Sequence, residues 1–127
     1  MKAYVYGAGG AEITDVAKPS PKGAQVLVRV RACGLNRADL GMTKGHAHGS
    51  AGGVGTVLGM EWSGEIAELG PDAKGVKVGD KVMGSGAAAF AEYTLADHGA
   101  LGNSLHRAAC RHRREFLARP RAALRRA

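Results

Sequence analysis

Leu58-Gly59-Met60-Glu61-Trp62-Ser63-Gly64-Glu65-Ile66-Ala67-Glu68-Leu69-Gly70, continuing Pro71-Asp72-Ala73-Lys74-Gly75-Val76-Lys77-Val78-Gly79-Asp80-Lys81-Val82-Met83-Gly84, is the run that decides the fold. It reads as a turn, a strand over Glu65–Leu69, a second turn at Gly70-Pro71-Asp72, a Gly79-Asp80 corner and another strand over Lys81–Met83. Proline fixes its backbone and lacks an N–H, and glycine reaches conformations closed to other residues, so both mark turns. Short strands punctuated in this way suit a small antiparallel β architecture.

The neighbouring segments extend the pattern. Gln25–Ala32 alternates, with Val26, Val28, Val30 and Ala32 on one face and Gln25, Leu27, Arg29 and Arg31 on the other. That period of two predicts a strand with one buried and one wet face. Lys2–Tyr6 and Glu12–Val16 read as strands around Gly7-Ala8-Gly9-Gly10, and Pro19 and Pro21 mark an extended crossing. Asn36–Lys44 reads as a short helix capped by Asn36, with Asp39 in its first turn. Gly45–Gly59 is a polar, Gly-rich loop, and Ala88–Leu95 is a last strand carrying Phe90 and Tyr93. The expected fold is mainly β with short helices, a partly open β-barrel.

Two glycine clusters invite a phosphate-binding reading. Gly7–Gly10 would need a helix directly after it, but Ala11-Glu12-Ile13-Thr14-Asp15 reads as a strand, so a hairpin turn is expected. Gly49-Ser50-Ala51-Gly52-Gly53-Val54-Gly55 has no apolar strand before it and no helix pattern after it, and is expected to be a loop.

The chain has 127 residues with 45% apolar and 5% aromatic content and 20 glycines, a profile of one turn-rich domain. Its net charge of +7 is segregated. Up to Leu105, seven Lys and three Arg balance ten acids; from His106 to Ala127, eight Arg face only Glu115. The high isoelectric point therefore describes the tail, and nucleic acid is not expected as a partner of the balanced body. Cys33 and Cys110 suggest no disulfide framework. No run of about 18 apolar residues predicts a membrane span, and the N-terminus lacks a signal-peptide pattern. A cytoplasmic location is the expectation.

The run above, taken with Val26-Leu27-Val28-Arg29-Val30-Arg31-Ala32-Cys33-Gly34-Leu35-Asn36-Arg37-Ala38-Asp39, resembles the N-terminal, GroES-like domain of the medium-chain dehydrogenase/reductase superfamily. It looks most like the zinc-free NADPH:quinone oxidoreductase branch. The resemblance covers roughly residues 1–98 and implies a substrate-side, catalytic GroES-like domain that lacks the Rossmann domain normally following it. Aligned by motif, the ligand Cys of the zinc alcohol dehydrogenases falls on Asn36 and the ligand His on Met60, while Cys33 matches a non-ligand Cys. An amide and a thioether are poor zinc ligands, so no metal is expected. The branch implies hydride transfer from NADPH to a quinone or other activated alkene (an enone), with Asn36 and Asp39 as catalytic-motif residues. Asn36 also lines the nicotinamide cleft, and Met60, Glu61 and Trp62 line the substrate cleft. Asn36 as a plain helix cap, Asp39 as a structural acid and Trp62 as core are the simpler alternatives.

Residues 99–127 form a basic Arg/Ala-rich tail, expected to be irregular or weakly helical and without counterpart in that family. Three explanations stand: a truncated or frame-shifted reductase, a genuine basic arm, or a stand-alone binding module. The first makes the chain inactive by itself, with no cofactor bound by this chain alone. It also leaves apolar surface that favours homo-oligomers. The alternative is a non-catalytic GroES-like module whose arm binds nucleic acid or an anionic surface.

Overall fold

A computed structural model of the chain describes residues 1–49, 51–97 and 106–107, the last pair as backbone. Eight strands and one helix follow in the order β1 (Lys2–Gly7), β2 (Gly10–Asp15), β3 (Gln25–Gly34), α1 (Arg37–Met42), β4 (Thr56–Val57), β5 (Glu61–Leu69), β6 (Lys81–Ser85), β7 (Tyr93–Asp97) and β8 (His106–Arg107). They form two sheets, β2-β1-β4 and β7-β3-β5-β6-β8, with every pairing antiparallel. No closed barrel forms among the described residues; the fold is mainly β, with one short helix.

The first hairpin follows the expected turn. Gly7 pairs with Gly10, leaving Ala8-Gly9 as a two-residue connection. The Gly52–Gly55 stretch runs not into a helix but into β4, which pairs with β1 through Val5–Val57 and Tyr6–Thr56. A strand therefore lies inside the segment read as loop. It is held by its partner, since two residues carry no periodicity of their own.

β5 starts at Glu61, four residues before the sequence pattern suggests. The extension is cross-strand in origin: Cys33 and Gly34 pair with Trp62 and Glu61 on one side, and Ser85 and Gly84 pair with them on the other. Gly64, inside this strand, is required by crowding. A Cβ there would overlap the Arg29 carbonyl oxygen and stand 2.9 Å from Val28 Cγ1.

Val26, Val28 and Val30 share the core-facing side of β3 as the alternation expects, and the departures are at Leu27 and Ala32. Val26, Leu27 and Val28 are all buried in succession, and Ala32 is exposed. At the first register shift, Leu27/Val28, the unpaired residue is Ala67 of β5; at the second it is Arg31 of β3, and that bulge accompanies the exposure of Ala32. The core gathers Val26, Val28, Trp62, Ile66, Val82, Ala89 and Ala96, with Val30, Ala73, Val76 and Phe90 against it.

The last expected strand also starts late, at Tyr93 rather than Ala88. Residues 88–92 instead stitch the two sheets. Tyr4 N–H donates to Phe90 O (2.8 Å), Glu92 N–H to Lys2 O (3.1 Å), Phe90 N–H to Leu58 O (2.9 Å) and Val30 N–H to Glu92 O (2.9 Å). Ala88 takes a positive φ of 63° at the start of this crossing. Apart from β8, which pairs with β6, the tail at 99–127 lies outside the described residues. No helix among the described residues is long and apolar enough to cross a membrane.

Candidate functional site

β3 ends at Gly34, and the chain turns through Leu35 and Asn36 into α1. Asn36 sits at the N-cap in an extended conformation, φ −115° and ψ 151°. The shortest bond there starts from its own backbone: Asn36 N–H donates to Asp39 Oδ2 at 2.7 Å, while Asp39 N–H donates to Asn36 O at 3.0 Å. Asp39 is buried at 5% exposure, and its charge sits in the first turn, where the helix dipole favours an anion. The helix is only six residues long and ends at Thr43, whose N–H returns to Asp39 O at 3.0 Å.

Two polar atoms at this corner are buried without a hydrogen-bond partner among the described residues: Asn36 Nδ2 and Asp39 Oδ1. Such groups cost stability when left alone, on the order of 1–3 kcal/mol each. The surface around them is apolar, since Leu35 and Leu40 are 81% and 66% exposed.

The adjacent strand brings the second motif alongside. Gly34 pairs with Glu61, and the Glu61 carboxylate lies over Gly34 in the space a side chain would take. Asn36 follows Gly34 by two residues, so Glu61 borders the turn that presents it. Met60 is half-buried, and its carbonyl accepts Gly86 N–H at 2.8 Å. Trp62 points the other way, into the core cluster, at 4% exposure. The structure thus brings Asn36, Asp39 and Glu61 to one corner, with Met60 next to Glu61 in the chain, and places Trp62 behind it.

Cys33 is exposed as a residue, yet its thiol donates to Ala89 O at 3.0 Å. Partial burial pushes that thiol's pKa up, so it is a weaker nucleophile than a free cysteine. It lines an open groove of about 340 Å³ at the seam between the sheets, with Tyr4, Ile13, Ala32 and Phe90. Sequence patterning did not find this groove, because it arises from how the two sheets lean together rather than from any one strand. His46 and His48 are exposed in the loop after α1. Among the described residues, no three His, Cys, Asp or Glu side chains converge in a way that could hold a metal ion.

Comparison with known proteins bears on this corner. The sequence profile described as "Alcohol dehydrogenase GroES-like domain" matches residues 22–107. The quinone oxidoreductase of Homo sapiens is 35% identical over 101 residues, which is 74% of this chain and 30% of that protein. The crystal structure of the human synaptic vesicle membrane protein VAT-1 homolog-like protein superposes with a TM-score of 0.68 at 35% identity, covering 76% of this chain and 32% of that one. The quinone oxidoreductase of Coxiella burnetii gives a TM-score of 0.67 at 29% identity, covering 77% of this chain and 35% of that one. The chain spans between 4% and 30% of the length of the curated relatives it matches.

Proposed function

Because the chain belongs to the GroES-like domain family of the alcohol dehydrogenases, within the medium-chain dehydrogenase/reductase superfamily, we propose that it supplies the substrate-side wall of a cytoplasmic, zinc-free, NADPH-dependent reductase acting on a quinone or enone. The observation that carries this reading is the corner itself. By motif, Asn36 and Met60 align with the thiolate and imidazole positions of zinc-dependent relatives, and Asn36 Nδ2 is a buried donor with no acceptor among the described residues. The donor set disfavours zinc. Turned out of its buried position, that amide would suit a carbonyl oxygen, whether from a nicotinamide carboxamide or from the substrate.

When bound, NADPH supplies the hydride. The chain's own residues bind and orient. Asn36 turns its amide toward the carbonyl, in the geometry that α1 and the Asp39 bond to its backbone enforce. Leu35 and Leu40 offer an apolar surface that keeps water from the reacting face. Glu61, opposite Gly34 and beside the Asn36 turn, would line the cleft there. Met60 adds an adaptable wall next to it.

In this superfamily the reacting groups meet between two domains, and the described residues form one wall. Binding tests the site directly. In amide-resolved NMR, a tetramethyl benzoquinone (which thiols attack slowly) is expected to shift Leu35, Asn36 and Glu61, with a dissociation constant of about 1 mM. Shifts confined to the Cys33 groove, or none at saturating solubility, would overturn the assignment. Metal analysis of the purified chain is expected to find zinc far below one ion per chain.

A further inference from the structure

The reductase reading leaves the outer edges of the two sheets unused. β4 and β8 form edges of two residues each, and β7 leads straight out of the described residues. β2 is different. It pairs with β1 over six residues without a register shift and contains no proline, so neither a bulge nor a ring blunts its outer side. It also carries Ile13, 73% exposed, near its middle.

The direction of its backbone groups follows from the hairpin. Val16 N–H donates to Met1 O at 2.9 Å, and the N-terminal ammonium donates to Val16 O at 2.8 Å. Bonded and non-bonded pairs alternate along an antiparallel ladder, so Thr14, Glu12 and Gly10 also point their backbone groups at β1. Tyr4 and Tyr6 agree with that count, because their groups point the other way, to Phe90, Leu58 and Gly55. The N–H and C=O of Ala11, Ile13 and Asp15 therefore face outward, and no partner meets them among the described residues. Two acids lie on the strand, yet neither bars a neighbour. Asp15 is ion-paired with Lys2, and Glu12 projects from the opposite face to Ile13.

We propose that β2 is a self-docking edge, at which a second copy of this chain adds its own β2 in antiparallel register about a two-fold axis at Ile13. The residues of the strand select that occupant and that register. With Ile13 opposite Ile13 of the second copy, Ala11 and Asp15 pair reciprocally, and all three outward residues are satisfied by about six inter-chain bonds. Glu12 then faces Thr14, so no like charges are opposed. A register centred on Glu12 sets two carboxylates face to face. One centred on Thr14 leaves Ala11 beyond the end of the facing strand, with about four bonds. The chosen register also covers the exposed Ile13, which stands beside Tyr4 of β1. The contact is small, so a dissociation constant on the order of 100 µM is expected. This inference stands apart from the reductase reading and survives its failure.

The test is amide-resolved NMR on the full chain from about 10 µM to about 1 mM, with sedimentation velocity over the same range. Hydrogen exchange at the Ala11, Ile13 and Asp15 amides is expected to slow several-fold as concentration rises, while Glu12 and Thr14, already bonded to β1, change little. A dimer is expected to dominate sedimentation at the top of the range, and a monomer throughout overturns the proposal. Full protection of those three amides at the lowest concentration overturns it as well, since the chain's own remaining residues would then cover the edge. Ile13→Lys sets two cations at the axis and is expected to abolish association with the circular dichroism unchanged, because the side chain it replaces is exposed. Association that persists in that variant overturns the choice of β2. Ala11→Lys places a cation opposite Asp15 of the second copy and is expected to tighten the dimer several-fold. No tightening overturns the register.

Discussion

The β3–β5–β6 sheet and the connection from Leu35 to Gly55 are neighbours in sequence and opposites in construction. In the sheet, Val26, Val28, Trp62, Ile66 and Val82 are all at 4% exposure or below and touch one another. In the connection, Leu35, Leu40 and Val54 stand 66% or more exposed, and among the described residues Asp39 and Met42 are the buried side chains and two polar atoms lack partners. The sheet is satisfied; the connection is not. A region with unmet hydrogen bonds and bare apolar side chains has surface to offer a ligand or a second wall, while the sheet holds it in place.

Substitutions in the two regions should separate sharply. Trp62→Ala removes the largest side chain of the core cluster and is expected to cost about 3–5 kcal/mol in urea unfolding. A value under ~1 kcal/mol would mean the sheet is not the stability core. Gly64→Ala comes next. The new methyl would strike the Arg29 carbonyl, a backbone atom that cannot rotate away, at an expected cost of about 1–3 kcal/mol. On the other side of the comparison, Asp39→Ala removes the acceptor that holds the Asn36 N–H, and about 1 kcal/mol is expected. Its main signature should be elsewhere: the quinone-induced shift at Asn36 should shrink even where stability hardly changes.

The same contrast explains what could be read before the structure. The hairpin at Gly7–Gly10, the sheet strands and the short helix after Asn36 were legible, because turn chemistry and side-chain period are local. β4 was not, because two residues have no period and Thr56–Val57 become a strand only by pairing with β1. The front of β5 hid for a similar reason: Trp62-Ser63-Gly64 looks like a turn until Cys33 and Gly34 pair across it. Leu27 was read onto the wet face, yet it is fully buried, outside the cluster that holds Val26 and Val28, because packing rather than side-chain period decides what covers that face. At the site, the residue types of Asn36, Met60 and Glu61 were visible in the sequence. That Asn36 Nδ2 and Asp39 Oδ1 would be left buried without partners was not, since that depends on atoms rather than on pattern.

The smallest expected effect lies where the two regions meet, at Cys33, the last side chain of β3 before the turn. Its thiol donates to Ala89 O, and desolvation raises its pKa. A raised pKa in an acid means that folding favours the neutral thiol. That contribution is fully present below the pKa of the unfolded cysteine and is lost as pH rises through the higher folded value. Two outcomes follow for a Cys110→Ser variant, in which Cys33 is the one remaining cysteine. Alkylation by iodoacetamide at about pH 8 should run several-fold slower than for a free cysteine of pKa near 8.5, and should accelerate only at higher pH. Stability should also decline slightly across that window, relative to the Cys33→Ala partner of the same variant. A thiol that reacts as fast as free cysteine would show that the sheet's satisfied character ends before Cys33. The unsatisfied region would then begin at β3 itself rather than at the Leu35 turn.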